Sequence, residues 1–80
     1  MEVLRFTASW CQPCKALAMQ LTELELNDSV TVIDIDEQSE LAMQYGVRSV
    51  PTMIMLRHGK EVKRLVGIKA KDILINWFQE

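Results

Sequence analysis

Long apolar runs are missing from this 80-residue chain; the longest, Val50 to Leu56, has seven residues and contains Pro51 and Thr52. A helix that crosses a bilayer needs about 20 apolar residues, so a helical membrane span is excluded. The start, Met1-Glu2-Val3-Leu4-Arg5, lacks a basic region followed by an apolar stretch, and the expectation is a cytoplasmic chain without a secretory leader. A basic excess is missing too. Nine Lys and Arg against eleven Asp and Glu leave a net charge of −2, which argues against nucleic acid as a partner. Two Pro, three Gly and 6% aromatics are low, while 49% hydrophobic and 25% charged residues are ordinary for a globular chain. Disorder is therefore excluded, and the length predicts one domain with one core over residues 1–80.

Cysteine is scarce as well: there are two, Cys11 and Cys14. A pair this close closes too small a loop to staple a fold, so a purely structural disulfide is a poor reading. In a cytosolic chain, neighbouring cysteines are more often redox-active or metal-bound. Zinc takes four ligands, and beside the two cysteines the sequence has one His, His58, in a predicted turn. A zinc site within one chain is disfavoured; a metal or iron–sulfur site shared between two chains is the remaining metal reading.

Charge is unevenly spread. Residues 1–47 hold two basic and eight acidic groups, a net of −6, and residues 48–80 hold seven basic and three acidic groups, a net of +4. The plain reading is a dipole without function; the other is a basic docking edge of Arg57, Lys60, Lys63, Arg64, Lys69 and Lys71.

The patterning predicts β-α-β-α-β-β-α. Val3 to Ala8, Val30 to Ile35, Thr52 to Arg57 and Val62 to Val66 read as strands, with Gly59 in a tight turn between the last two. Cys11 to Leu26 reads as a helix, with Pro13 in its first turn and Cys14, Leu17, Leu21 and Leu24 on one face. Glu40 to Tyr45 reads as a short helix, with Gly46 at its C-terminal cap and capping side chains in Asp36 to Ser39 before it. Ala70 to Gln79 reads as the last helix, with Ala70, Ile73, Leu74, Trp77 and Phe78 as its apolar stripe. The five methionines, Met1, Met19, Met43, Met53 and Met55, are expected in the core rather than on a soft binding surface. Strand–helix alternation implies a parallel pair, and the closing hairpin makes the sheet mixed.

The Cys pair falls where the first strand ends and the first helix begins. Unpaired N–H groups and the positive end of the helix dipole meet there and favour a thiolate. Such a thiolate attacks a disulfide sulfur, and a second thiol one turn on completes the exchange. Cys11, nearer the tip, reads as the nucleophile, and Cys14, which begins the apolar stripe, as the resolving thiol.

Phe6-Thr7-Ala8-Ser9-Trp10-Cys11-Gln12-Pro13-Cys14-Lys15 resembles the active-site segment of the thioredoxin family, and Tyr45-Gly46-Val47-Arg48-Ser49-Val50-Pro51-Thr52 resembles a second family motif. Gly59 and Gly67 follow at the family's spacings, and the resemblance covers essentially all 80 residues. It implies a thioredoxin-like α/β fold with a four-stranded mixed sheet, in the neighbour order Val30–Ile35, Val3–Ala8, Thr52–Arg57, Val62–Val66. It implies a cis peptide bond before Pro51, facing the Cys pair, and a substrate-contact surface of Trp10, Gln12, Pro13, Val50, Pro51, Thr52, Gly67 and Ile68. Without it, Trp10 would read as core, as Trp77 still does.

Three departures stand out. The family's first strand and helix are missing, so Val30–Ile35 becomes a sheet edge open to weak self-pairing. Gln12 stands where the family has Gly. Arg5 replaces a buried Asp, with Val32 in place of a buried Lys; its stem is expected along the sheet with its head in water, the alternative being a place near Cys14 that favours thiolate there. The function implied is a protein-disulfide reductase that needs no cofactor beyond the Cys11–Cys14 dithiol, acts on oxidised proteins, is fed by a disulfide reductase, and is a monomer or weak dimer. The alternatives are a glutaredoxin-like carrier fed by a thioredoxin reductase and a non-catalytic partner-binding module.

Overall fold

Strict alternation sends the residues of the first strand, Glu2–Thr7 (β1), to two different cores. Val3 packs with Leu17, Leu21, Met53, Met55, Leu74 and Trp77, while Leu4 and Phe6 pack with Ile33, Ala42, Ile54 and Leu56 on the opposite face. The computed structural model describes residues 1–79. After β1 come α1 (Gln12–Glu23), β2 (Val30–Asp34), α2 (Ser39–Gln44), β3 (Thr52–Arg57), β4 (Lys60–Val66) and α3 (Lys71–Phe78). The sheet order is β2-β1-β3-β4, with β1 and β2 parallel and the other pairs antiparallel, as the sequence implied. Helices α1 and α3 cover one face and α2 the other, so β3 is buried on both faces from Thr52 to Leu56.

Element ends show where local chemistry overrode the sequence reading. Helix α1 stops at Glu23, three residues short of expectation, although no glycine stands there. Glu25 takes the left-handed conformation (φ 56°) instead; its N–H donates to the Thr22 carbonyl (3.2 Å) and the Leu26 N–H to the Leu21 carbonyl (2.9 Å). Leu26 then packs on the α1 core, and that burial offsets the left-handed cost. Helix α2 ends as read, with Gly46 at φ 65° and the Val47 N–H on the Ala42 carbonyl. Its start differs: Gln38 makes no side-chain cap, and Asp34 Oδ1 accepts the Asp36 and Glu37 N–H groups ahead of the helix. The hairpin loop is two residues, His58 and Gly59, both at positive φ, which extends β4 back to Lys60.

The methionine expectation holds for two of the five, and Met1, at the start of the chain, is 56% exposed. Met53 and Met55 are buried, but Met19 is 65% and Met43 79% exposed. Met19 is two residues from both Leu17 and Leu21, and at about 100° per residue that puts it on the far side of α1. Met43 follows the inward-facing Ala42 by one such step. On α3, Leu74 and Trp77 carry the buried stripe, Phe78 packs against it, and Ile73 and Ala70 stay exposed at its margin.

Candidate active site

The sheet delivers the two cysteines to one end of the molecule. β1 stops at Thr7, and the Cys11 N–H closes a turn onto the Ala8 carbonyl (3.2 Å). Cys11 is then extended (φ −97°, ψ 108°) and caps α1: its Sγ accepts the Cys14 N–H at 3.2 Å. A sulfur in place of the usual cap oxygen receives the first free donors of the helix, where the dipole is positive. No Asp or Glu stands in that first turn, and Pro13 occupies it without a donor to lose. Cys11 and Cys14 form a disulfide, with their Cα atoms 5.3 Å apart.

Both cysteines are enclosed, Cys11 at 4% and Cys14 at 1% exposure, in a small cluster with Ala8, Ile35 and Val50. Cys11 is the outer of the two by only that margin. Around it Trp10, Gln12 and Pro13 are exposed, Trp10 at 65%. The reading of Trp10 from its apolarity alone, as core, is thus corrected: it sits on the turn beyond the sheet, where its indole N–H donates to Asp36 Oδ2 at 3.0 Å. Nothing in the sequence links those residues, 26 apart; the sheet joins them by setting β1 beside β2.

The loop before β3 supplies the other wall. Cys11 Sγ lies 3.7 Å from the Val50 carbonyl oxygen, and the Val50–Pro51 peptide bond is cis. Pro51 is buried, and its carbonyl accepts the Gly67 N–H at 2.8 Å. That bond brings Gly67 (φ 86°) to the end of β4 beside β3, with Ile68 exposed next to it. Thr52 lies under the surface at 2% exposure, with its hydroxyl donating to the Ser49 carbonyl (2.7 Å). It shapes the loop from beneath.

The residues read as a basic edge divide. Arg64 is held by Glu61 (2.6 and 2.8 Å) and by the Tyr45 carbonyl, and Lys63 Nζ stands 5.4 Å from the Trp77 ring centroid. Hydrogen bonding to Arg64 holds the Glu61 carboxyl below its ordinary value and raises Arg64 in turn. Arg5 is half-exposed, but its Nε is enclosed and has no hydrogen-bond partner among the described residues. Burial lowers its pKa. Among the described residues, no three His, Cys, Asp or Glu side chains come together as a metal cage.

A family model described as thioredoxin matches residues 1–80. The chain belongs to the thioredoxin family. A thioredoxin of Chlamydia caviae is 47% identical over 76 residues, covering 91% of this chain and 74% of the relative. The solved thioredoxin of Fasciola hepatica superposes with a TM-score of 0.83 at 30% identity, over 95% of this chain and 75% of that one. A bifunctional thioredoxin reductase/thioredoxin of Mycobacterium leprae is 43% identical over 74 residues, which is 88% of this chain and 16% of that protein. With the family and the Cys11–Cys14 pair, the chain is a thiol-disulfide oxidoreductase: a protein-disulfide reductase or redox carrier.

Proposed function

We propose that residues 1–80 act as one domain that reduces disulfides in oxidised proteins, with Cys11 as nucleophile and Cys14 as resolving thiol. The observation that carries the assignment is the helix cap. In the dithiol form, the Cys14 N–H and the N-terminal end of α1 stabilise negative charge on Cys11 Sγ, not on Cys14. The Cys11 thiolate attacks a substrate sulfur, and a mixed disulfide forms as the other substrate sulfur leaves with the bonding electrons and takes a proton from solvent. Cys14 then attacks Cys11 Sγ, which frees the second substrate sulfur and leaves the Cys11–Cys14 disulfide.

Trp10, Gln12, Pro13, Val50, Gly67 and Ile68 form the contact surface, which buried Pro51 shapes from beneath, and an extended substrate segment adds to the backbone at Val50. The Trp10–Asp36 bond orients the indole of that surface. The thioredoxin reductase fused to the M. leprae relative supports a disulfide reductase as electron donor, in preference to a glutathione-fed cycle. No cofactor beyond the dithiol takes part, the compartment is the cytoplasm, and the chain is a monomer with weak self-pairing at β2.

The test is reduction of a model protein disulfide with dithiothreitol as electron source. Acceleration by the native chain and its loss in Cys11→Ser are expected, while Cys14→Ser accumulates the mixed disulfide. A folded chain that gives no acceleration overturns the assignment in favour of a binding module.

A further inference from the structure

Arg5 is a charged residue in the middle of the sheet. It pairs with Val32 of β2 on one side and Met53 of β3 on the other. Alternation places it on the face that α1 covers, because Val3 packs there with Leu17 and Leu21, and Leu4 and Phe6 pack on the opposite face. From Val3 to Arg5 the strand advances about 6.6 Å toward the active-site end. From Leu17 to Cys14 the helix recedes about 4.5 Å toward the same end, since α1 runs back along β1 to reach the parallel β2. Arg5 is therefore the sheet residue under the turn that carries Cys14.

An enclosed guanidinium N–H without an acceptor is costly, and buried Arg is ordinarily paired. Among the described residues, no side chain accepts a hydrogen bond from the Arg5 Nε. Asp34, on the same side of β2, has Oδ1 engaged by the Asp36 and Glu37 N–H groups, and Asp36 holds Trp10. Helix α1 contributes exposed Lys15; β4 contributes Lys63, which lies over Trp77; α3 turns apolar Leu74, Trp77 and Phe78 inward. From β3, Met53 and Met55 face this side. On the α1 turn above Arg5, the group able to become an anion is the Cys14 thiol, and only when the disulfide is open.

We propose that Arg5 is a positioning residue for the resolving step, a cation beneath α1 that favours the Cys14 thiolate once the pair is reduced. This rests on Cys14 being the resolving thiol. The proton leaves Cys14 for solvent before the attack, and Arg5 stabilises the charge left behind. The Cys14 thiolate then forms the bond to Cys11 Sγ; the bond from Cys11 to the substrate sulfur breaks, and its electron pair departs with the substrate. The chain is oxidised, the substrate is reduced, and no separate base is needed.

The experiment follows the Cβ carbon resonances of both cysteines by NMR as the reduced, 13C-labelled native chain is titrated. Cys14 is expected to ionise below the ordinary thiol value of about 8.5. Arg5→Gln is expected to move its midpoint up by about one pH unit, a tenfold change in proton affinity, with a smaller change at Cys11; Arg5→Lys restores most of it. A native Cys14 midpoint at or above the ordinary value overturns the proposal with no variant required. So does an unmoved Cys14 curve in a folded Arg5→Gln chain. The titration reads Cys14 directly, so it stands apart from the activity of Cys11→Ser, which tests the functional reading.

Discussion

Leu21 and Met19 lie two residues apart on α1, both long and apolar, yet the fold treats them oppositely. Leu21 is fully buried among Val3, Leu17, Met53, Met55, Leu74 and Trp77, where the undersides of α1 and α3 meet the sheet. Met19 is 65% exposed. Truncating Leu21 to Ala removes the transfer energy of three carbons and leaves a cavity that β1 and β3 cannot close, because their positions are set by the ladder. Buried Leu→Ala changes cost about 2.7–5.0 kcal/mol; about 3 is expected here. A domain of this size has a total stability of about 4–12 kcal/mol, so Leu21→Ala still folds. Its entropy of unfolding is about 0.17 kcal/mol/K, and the loss lowers Tm by about 18 °C. Met19→Ala is expected within about 0.5 kcal/mol, or about 3 °C. Calorimetry of the oxidised chain and both variants measures the contrast. Equal shifts in the two variants would refute the assignment of the α1 stripe and the packing argument built on it.

Two further expectations concern the two edges of the sheet. Glu61 on β4 has its pKa lowered by Arg64, so the pair stabilises the fold above the ordinary carboxylate range, and the contribution is lost as pH falls through the lowered value. The pair is exposed, which limits the effect to about 0.2–1 kcal/mol; Glu61→Gln should be less stable by that amount at pH 7 and indistinguishable at pH 2, and a pH-independent difference rejects the ion pair as the cause. At the β2 edge, Val32 is 53% exposed, and bonding of the Ser29 carbonyl and Ile35 N–H to β1 turns the Val32 N–H and C=O outward. A second copy pairing antiparallel about Val32 also sets Asp28 near Asp36 of its partner, so weak dimerisation that strengthens with salt is expected by sedimentation, and a constant monomer mass up to millimolar chain excludes it.

Much of the site is local chemistry, and local chemistry is legible. Cys11-Gln12-Pro13-Cys14 at a strand-to-helix junction carries its own reason for thiolate formation, and Gly46 and Gly59 mark turns that any chain would need there. The element order followed from the sequence patterns, because periods of 2 and 3.6 restrict what each segment can bury, whereas the strand neighbours followed from the resemblance to the family. The end of α1 was less legible. Glu25 has no intrinsic preference for positive φ, and it adopts that conformation because Leu26 gains a core contact.

What the tertiary structure alone decided are the encounters between distant segments. Apolar character could not separate Met19 and Met43 from Met53 and Met55; which side of each helix meets the sheet did. The Trp10–Asp36 bond, the Val50 carbonyl beside Cys11 and the Pro51–Gly67 bond each depend on strands set side by side across the sheet. Arg5 shows the division most plainly. Its sequence neighbours announce a strand, and only the packing of α1 against the face that Val3 shares encloses its guanidinium Nε without a hydrogen-bond partner among the described residues.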